Sequence, residues 1–437
     1  MSSETGFIPL RNVSLRITKG TTPTKEQGFK EKGINYIKSE CITPDGNIDT
    51  SKFTHIDIET HKKLARSQLV EGNVLFSMAG IYLGKSAVVL SEHLPANTNQ
   101  AVGIITLDRE KADPYFVHYA IQSPATRSWV LRSAAQSAQP NFNLQEIGDL
   151  KIPALSLKSQ KEIAGVLKNL DDRIALLRET NATLEAIAQA LFKSWFVDFD
   201  PVHANAGTQA PSLPAEIQAL FPSRLVESPQ GLIPEGWEVG AIKRCCERVE
   251  SGGTPKRSVA TYWDGDVSWL SSGEVRNAIV LDTKEKITAL GVAESSAKLW
   301  PAGTTVVAMY GATAGEVCIL AKPSTANQAC CGLIPKTHTK SFVFFCIRRE
   351  REKLASKSSG SAQQNLNKGL VESHEIVIPP KQVLAEFENS IGSMLEGWIE
   401  NEKKAETLAN LRDTLLPRLI SGQLRLPEAE AALAEVI

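Results

Sequence analysis

Most of the pattern in this chain occurs twice, and that duplication constrains the fold more than any single motif does. Ser137-Ala138-Gln139-Pro140-Asn141-Phe142-Asn143 recurs as Ser361-Ala362-Gln363-Gln364-Asn365-Leu366-Asn367, 224 residues later. Gly20-Thr21-Thr22-Pro23 recurs as Gly252-Gly253-Thr254-Pro255, and Asn99-Gln100-Ala101 as Asn327-Gln328-Ala329. The glycines of Gly72, Gly80 and Gly84 return as Gly303, Gly311 and Gly315. A period above 200 residues marks a duplicated domain rather than a solenoid of short repeats.

Each copy ends in a long amphipathic stretch. From Ser159 the first carries apolar residues at alternating spacings of three and four: Leu167, Leu170, Ile174 and Leu177, then, past the polar Asn181, Leu184, Ala188, Leu191 and Trp195, followed by Phe196. Such a seam over about four heptads predicts a helix that packs along a partner helix. At 1.5 Å per residue it would reach roughly 55–60 Å. Ser159 and Glu162 have capping-box spacing and predict where it opens. The second copy repeats the seam through Ile391, Met394, Trp398, Leu408, Leu415 and Leu419. Asn181 and Asn401 are its polar positions, and an antiparallel pairing would set them face to face, where buried asparagine fixes register.

Between these stretches the chain reads as α+β. Short apolar runs such as Val74-Leu75-Phe76 and Val102-Gly103-Ile104-Ile105 lie between turn residues and suit strands. Asp113 and Pro114 predict a helix start, with the helix continuing to Leu131. The segments are a globular unit at 1–157, a long helix at 158–199 and a linker at 200–231. A second globular unit follows at 232–380, then a long helix at 381–422 and a tail at 423–437. The 200–231 stretch is rich in Pro, Ala and Ser, which suits a linker, with a short helix near Ala215–Leu220.

Composition narrows the function classes. No run approaches 18 apolar residues, and Met1-Ser2-Ser3-Glu4-Thr5 does not read as a secretion signal, so a cytoplasmic location is expected. Seven cysteines, six of them in the second copy and none in C-x-x-C spacing, predict free buried thiols. Net charge is −1. Residues 1–157 hold 17 Lys and Arg against 15 Asp and Glu, residues 232–380 hold 18 against 15, and 381–437 hold 6 against 10. Slightly basic globular units suit a phosphate-bearing partner, though the signal is weak alone.

Catalytic motifs fail on inspection. Gly80-Ile81-Tyr82-Leu83-Gly84-Lys85-Ser86 has three residues between its glycines where a phosphate-cradling loop needs four, and the other copy has Glu316 in place of the lysine. A glycine hairpin explains it. Asp113-Pro114-Tyr115-Phe116 lacks the second proline of an amino-methyltransferase motif and has no counterpart in copy two. His203, His338 and His374 have no metal or triad spacing. Polar residues remain at the duplicated loops: Lys19, Thr21, Lys25, Tyr82, Lys85, Asn99, Gln100 and Gln139, and in the second copy Lys256, Arg257, Tyr310, Asn327, Gln328 and Gln363. Amides read adenine edges, cations read guanine or phosphate, and glycines permit close backbone approach, so these are the candidate DNA contacts. Turn and capping roles compete at each of them.

At this point the chain resembles the specificity subunits of type I restriction–modification enzymes. The resemblance rests on Ile233-Pro234-Glu235-Gly236-Trp237 followed by Ser251-Gly252-Gly253-Thr254-Pro255. Leu191-Phe192-Lys193-Ser194-Trp195-Phe196-Val197-Asp198-Phe199-Asp200-Pro201 and Leu415-Leu416-Pro417-Arg418-Leu419-Ile420-Ser421-Gly422 complete it. Gly6-Phe7-Ile8-Pro9-Leu10 departs from that opening in the first copy. The resemblance implies two target-recognition domains with pseudo-twofold symmetry, each reading half of a split double-stranded DNA target. Two antiparallel helices would form a coiled coil that sets the spacer. Two methylation subunits would dock on the helices and bring S-adenosylmethionine, and restriction subunits would bring ATP and Mg, with no cofactor and no catalysis on this chain. The copies differ most between Lys52–Lys63 and Asp282–Gly291, which predicts unlike half-sites. The competing readings are a non-catalytic coiled-coil scaffold for protein partners and an enzyme using the near-miss glycine loop.

Overall fold

A computed structural model describes residues 6–24, 27–134, 141–357, 365–424 and 426–434. It divides into two units, residues 1–174 with 407–437 and residues 175–406. Both hold the same strand plan.

In the first unit β1 (Phe7–Pro9) pairs with β9 (Lys151–Pro153). A four-stranded antiparallel sheet runs β2 (Ser14–Lys19), β8 (Val102–Leu107), β5 (Val74–Ser77), β6 (Ser86–Val88). A three-stranded sheet runs β4 (Thr54–Ile56), β3 (Ile34–Ile37), β7 (Ala96–Thr98), with β3 and β7 parallel. Every residue of β5 is buried, which is why it reads as a continuous apolar run instead of an alternating one. Leu75, Ala87, Val102 and Ile104 pack with Ile37 and Ile42 in one core.

Two predicted features move. Asp113 caps as expected, its Oδ1 accepting from the amides of Tyr115 and Phe116 at 3.0 Å. The helix stops at Gln122, however, and a second one runs Pro124–Ala134. Proline at 124 forces Ser123 out of helical geometry, to ψ 143°. The first long helix spans Leu157–Phe196, opening three residues earlier than the Ser159 box places it. The hydroxyl of Ser156 accepts from the Ser159 amide at 3.1 Å and takes the capping role.

Within this unit the seam positions Leu167, Leu170 and Ile174 are buried, as are Leu408, Leu415 and Leu419 of the second long helix, Lys381–Ile420. Asp171 joins the two helices. It accepts from Arg412 at 2.7 Å and from the Tyr119 hydroxyl at 2.6 Å. Gly422, at φ 74°, ends the second long helix as the sequence predicts.

The second unit repeats the plan. β12 (Glu238–Ala241) pairs with β21 (Glu375–Ile378). The main sheet runs β13 (Cys246–Ser251), β20 (Cys330–Pro335), β17 (Thr305–Ala308), β18 (Val317–Leu320), and adds β15 (Ile279–Val280) at its edge. The small sheet runs β16 (Glu285–Ile287), β14 (Trp263–Leu270), β19 (Thr325–Ala326), with β14 and β19 parallel. A hairpin of β10 (Leu225–Ser228) and β11 (Gly231–Pro234) precedes it.

Here the helix seam is aromatic. The Phe387 ring lies 5.6 Å from Trp195 and 4.8 Å from Phe196, and Trp398 is buried nearby in the same core. Leu184 and Leu191 are half-buried against it, and Leu177 is half-buried. Trp195 late in the first helix meets Phe387 early in the second, while Asn181 meets Glu402, so the pair is antiparallel. The 200–231 stretch is not a free tether. Val202 and Phe221 are buried with Trp195 and Trp237, and Asn205 donates to the Phe221 carbonyl at 2.7 Å. Its few large apolar residues anchor it, a fact its Pro, Ala and Ser content obscures. All seven cysteines are free and buried.

Asn181 is 3% exposed and donates to Glu402 at 3.1 Å, while its Oδ1 has no hydrogen-bonding partner among the described residues. Glu402, rather than the expected Asn401, therefore faces it. Asn181→Leu is expected to stabilise the unit by about 1 kcal/mol, raising Tm by roughly 2–4 °C. An unchanged or lower Tm would show that the asparagine is not a buried polar defect in the seam.

Candidate nucleic-acid interface

In the first unit the end of β2 is pinned to the loop after β7. The Gly20 amide donates to Val102 O at 3.1 Å and that of Thr21 to Thr98 O at 2.9 Å. A Cβ on Gly20 would fall far inside van der Waals distance of the Thr98 and Asn99 carbonyls. The Tyr36 hydroxyl donates to Thr21 O at 2.8 Å, and burial pushes this phenol up to about 12. The Thr22 hydroxyl donates to the Gln100 amide oxygen.

The second unit builds the same junction from different side chains. Gly252 donates to Cys330 O at 3.0 Å and Gly253 to Ala326 O at 2.8 Å. A Cβ on Gly252 would strike the Asn327 and Ala326 carbonyls. Trp269 Nε1 donates to Gly253 O at 3.0 Å, taking the place of Tyr36. Thr254 donates to Gln328, as Thr22 does to Gln100. The exposed faces of Gln100 and Gln328 are thus held by threonine rather than left to rotate.

Two more duplicated segments converge on each junction. Met78 donates to Ala101 O at 2.8 Å and Phe142 to Met78 O at 2.9 Å; Met309 donates to Ala329 O at 2.7 Å and Leu366 to Met309 O at 2.9 Å. The glycine loop that follows is a hairpin turn, with Gly80 at φ 67° and Gly84 at φ 80°. Three of its amides are used internally: Leu83 donates to Gly80 O, Gly84 to Ser77 O and Lys85 to Tyr82 O. Those three are not left open to cradle a phosphate.

The side chains at these loops differ between the units. Lys19 and Lys256 are exposed. Lys85 lies 4.8 Å over the Tyr82 ring, and burial, then Arg127 and Lys52, hold its pKa below the usual lysine range. Glu316 occupies the matching position and lies 3.8 Å from Arg351. Tyr310 is 37% exposed. Arg257 is committed: it makes paired hydrogen bonds to Glu285, which raise its pKa, and stacks 3.8 Å over Trp263. Asn327 accepts from the Ala329 amide at 3.0 Å, whereas the half-buried Asn99 Oδ1 has no partner among the described residues. Lys25, Gln139 and Gln363 lie outside the described residues. Sequence reasoning missed Tyr36 and Trp269, although Tyr36-Ile37-Lys38-Ser39-Glu40 and Trp269-Leu270-Ser271-Ser272-Gly273-Glu274 carry a shared outline. Among the described residues no His, Cys, Asp or Glu group could hold a metal ion, and no helix is long and apolar enough to cross a membrane.

A recognition module built twice, each time beside a segment of paired long helices, is the class of protein these units define. The model of the type I restriction modification DNA specificity domain matches residues 13–186 and again 234–412. The chain belongs to this family, as a specificity subunit carrying two DNA specificity domains. It is 26% identical to the type I restriction enzyme HindI specificity subunit of Haemophilus influenzae, over 87% of this chain and 93% of that one. It is 24% identical to the MjaIX specificity subunit of Methanocaldococcus jannaschii, over 76% and 74%. A crystal structure of the type I restriction–modification S subunit from M. genitalium has the same fold, with a TM-score of 0.64 at 14% identity, covering 96% of this chain and 97% of that one.

Proposed function

We propose that each unit reads one half of a bipartite, asymmetric double-stranded DNA target. The carrying observation is the junction itself: one backbone arrangement, built twice, presents Lys85 and Tyr82 in one unit and Glu316 and Tyr310 in the other. A shared scaffold with unlike loop side chains is what two unlike half-sites require. Lys19, Thr21, Asn99, Gln100, Lys256, Asn327 and Gln328 border the junctions, and Lys25, Gln139 and Gln363 extend the same loops in sequence. The paired helices set the spacing between halves and receive two methylation subunits, which carry S-adenosylmethionine and the chemistry. Restriction subunits add ATP and Mg, and the complex works in the cytoplasm. A coiled-coil scaffold for protein ligands is the weaker reading, because it leaves the paired amide and cation loops without a role.

Salt dependence separates the two. Lys85→Ala and Lys256→Ala, each assembled with its methylation subunits, are expected to lower the salt slope of duplex binding by about 1. Duplex affinity that does not vary with salt would contradict DNA reading.

A further inference from the structure

Ile81 is 88% exposed, the most exposed large apolar side chain among the described residues. Single exposed apolar residues are common and need no explanation by themselves. This one differs in its mounting. It sits at the tip of the Gly80–Tyr82 turn, between two glycines at positive φ, on backbone closed by three internal hydrogen bonds. The tip therefore projects away from its own fold.

Its surroundings are basic and apolar together. Lys85 covers the Tyr82 ring, Arg127 is exposed, and Arg127 and Lys52 both act on the Lys85 charge. The acids facing them are Asp45, which also acts on Lys85, and Asp49, which pairs with Lys52 at 2.9 Å. Trp129, 40% exposed, stacks edge-on to Phe142 at 5.7 Å, and Phe142 is bonded to Met78 at the root of the same turn. Among the described residues the second unit does not repeat this combination. Ala312 stands for Ile81 and Glu316 for Lys85, and at the 224-residue offset of the adjoining repeat Lys353, paired with Glu350, stands for Trp129.

We propose that the Gly80–Gly84 turn is an apolar wedge used on one half-site only. Ile81 enters a groove and parts a base-pair step, while Lys85 and Arg127 seat the turn on flanking phosphates. Apolar wedges that unstack a step are an established way for proteins to bend DNA. The surrounding cations favour a polyanion over a protein surface as the occupant. The proposal rests on the DNA-reading function, and it adds that the two halves are deformed unequally.

The test uses the complex of full-length chain and methylation subunits, bound to its methylated target duplex with 2-aminopurine placed at successive steps of both halves. Setting aside the target adenine of each half, which the methylation subunits themselves flip out, fluorescence is expected to rise several-fold at a step in one half alone. Ile81→Ala should remove that rise and weaken binding roughly tenfold, the loss expected for one buried isoleucine, and Ile81→Val should restore most of both. Lys85→Ala should lower the salt slope and leave the bright step where it is. Specific binding with no bright step in either half away from the target adenines, or a rise at such a step that survives Ile81→Ala, overturns the wedge while leaving DNA reading intact. Loss of methylation-subunit retention in Ile81→Ala with fluorescence unchanged also overturns it and makes the turn a subunit contact. No specific binding by the unsubstituted complex overturns both readings.

Discussion

Gly252→Ala is expected to erase recognition of one half-site and leave the other readable. The position is steric rather than conformational, because its φ lies outside the left-handed region. An added Cβ would collide with the carbonyls of Ala326 and Asn327. These are backbone atoms fixed by the Leu270–Ala326 pairing of β14 with β19, so they cannot yield as a flexible side chain would. Relief requires the Gly252–Thr254 loop to lift, which breaks the Gly253–Ala326 and Trp269–Gly253 hydrogen bonds together. The cost is about 3 kcal/mol, at the upper end for overpacking, and it falls on the loop that carries Lys256. Gly20→Ala meets the same obstacle at Thr98 and should erase the opposite half. Methylation or binding assayed on duplexes scrambled in one half at a time reads the effect. Both halves remaining specific in Gly252→Ala would mean that this junction does not present the reading groups.

The second large effect is at Arg412. Asp171 is held between Arg412 and Tyr119, with side-chain exposures of 17% for the acid and 19% for the arginine. Burial pushes the Asp171 carboxyl above the usual carboxylate range, even against the lowering influence of its two hydrogen-bond donors. Arg412→Ala would leave a largely buried carboxylate with one donor, a loss of about 3 kcal/mol at neutral pH, or roughly 6–12 °C in Tm. The sign with pH follows from the direction of the shift. A carboxyl whose folded pKa is raised favours folding when protonated, and that favour is lost as pH rises through the folded value. The deficit of Arg412→Ala relative to the unsubstituted chain should therefore be largest at neutral pH and shrink toward acid. His118, held down to about 4 by burial and then by Arg412, destabilises both proteins as pH falls below the ordinary histidine value. The comparison must accordingly be made between the two at each pH. A deficit that grows on acidification would contradict the buried-acid account.

The duplication and the long helices were legible because they are written in spacing, which needs no knowledge of contacts. Leu167, Leu170 and Ile174 fall where a seam predicts, and the glycines at 80, 84, 311 and 315 have the positive φ their pattern demands. Boundaries were less legible. Ser156 caps the long helix in place of Ser159 because either serine satisfies the local chemistry, and tertiary placement chooses between them. The 200–231 stretch hides its anchors because Val202, Leu213, Ile217, Leu220, Phe221 and Leu225, which pack on one core, are spread among Pro, Ala and Ser with no helix or strand period. At the junctions, sequence marked the amides but not their partners. Gln100 meets Thr22 across 78 positions, and Tyr36 and Trp269 do one job with different rings. Arg257 reads as a free cation in sequence and is folded onto Glu285 and Trp263 in three dimensions.

Adenine-methylation mapping tests the central claim most directly. DNA would be compared between cells expressing this chain with its cognate methylation subunit and cells expressing the methylation subunit alone. The account predicts a methylated motif of two short, unlike halves separated by an unread spacer, present only when this chain is present. A palindromic motif with identical halves would contradict the two-reader account, and no new motif with a verified active methylation subunit would contradict DNA reading altogether.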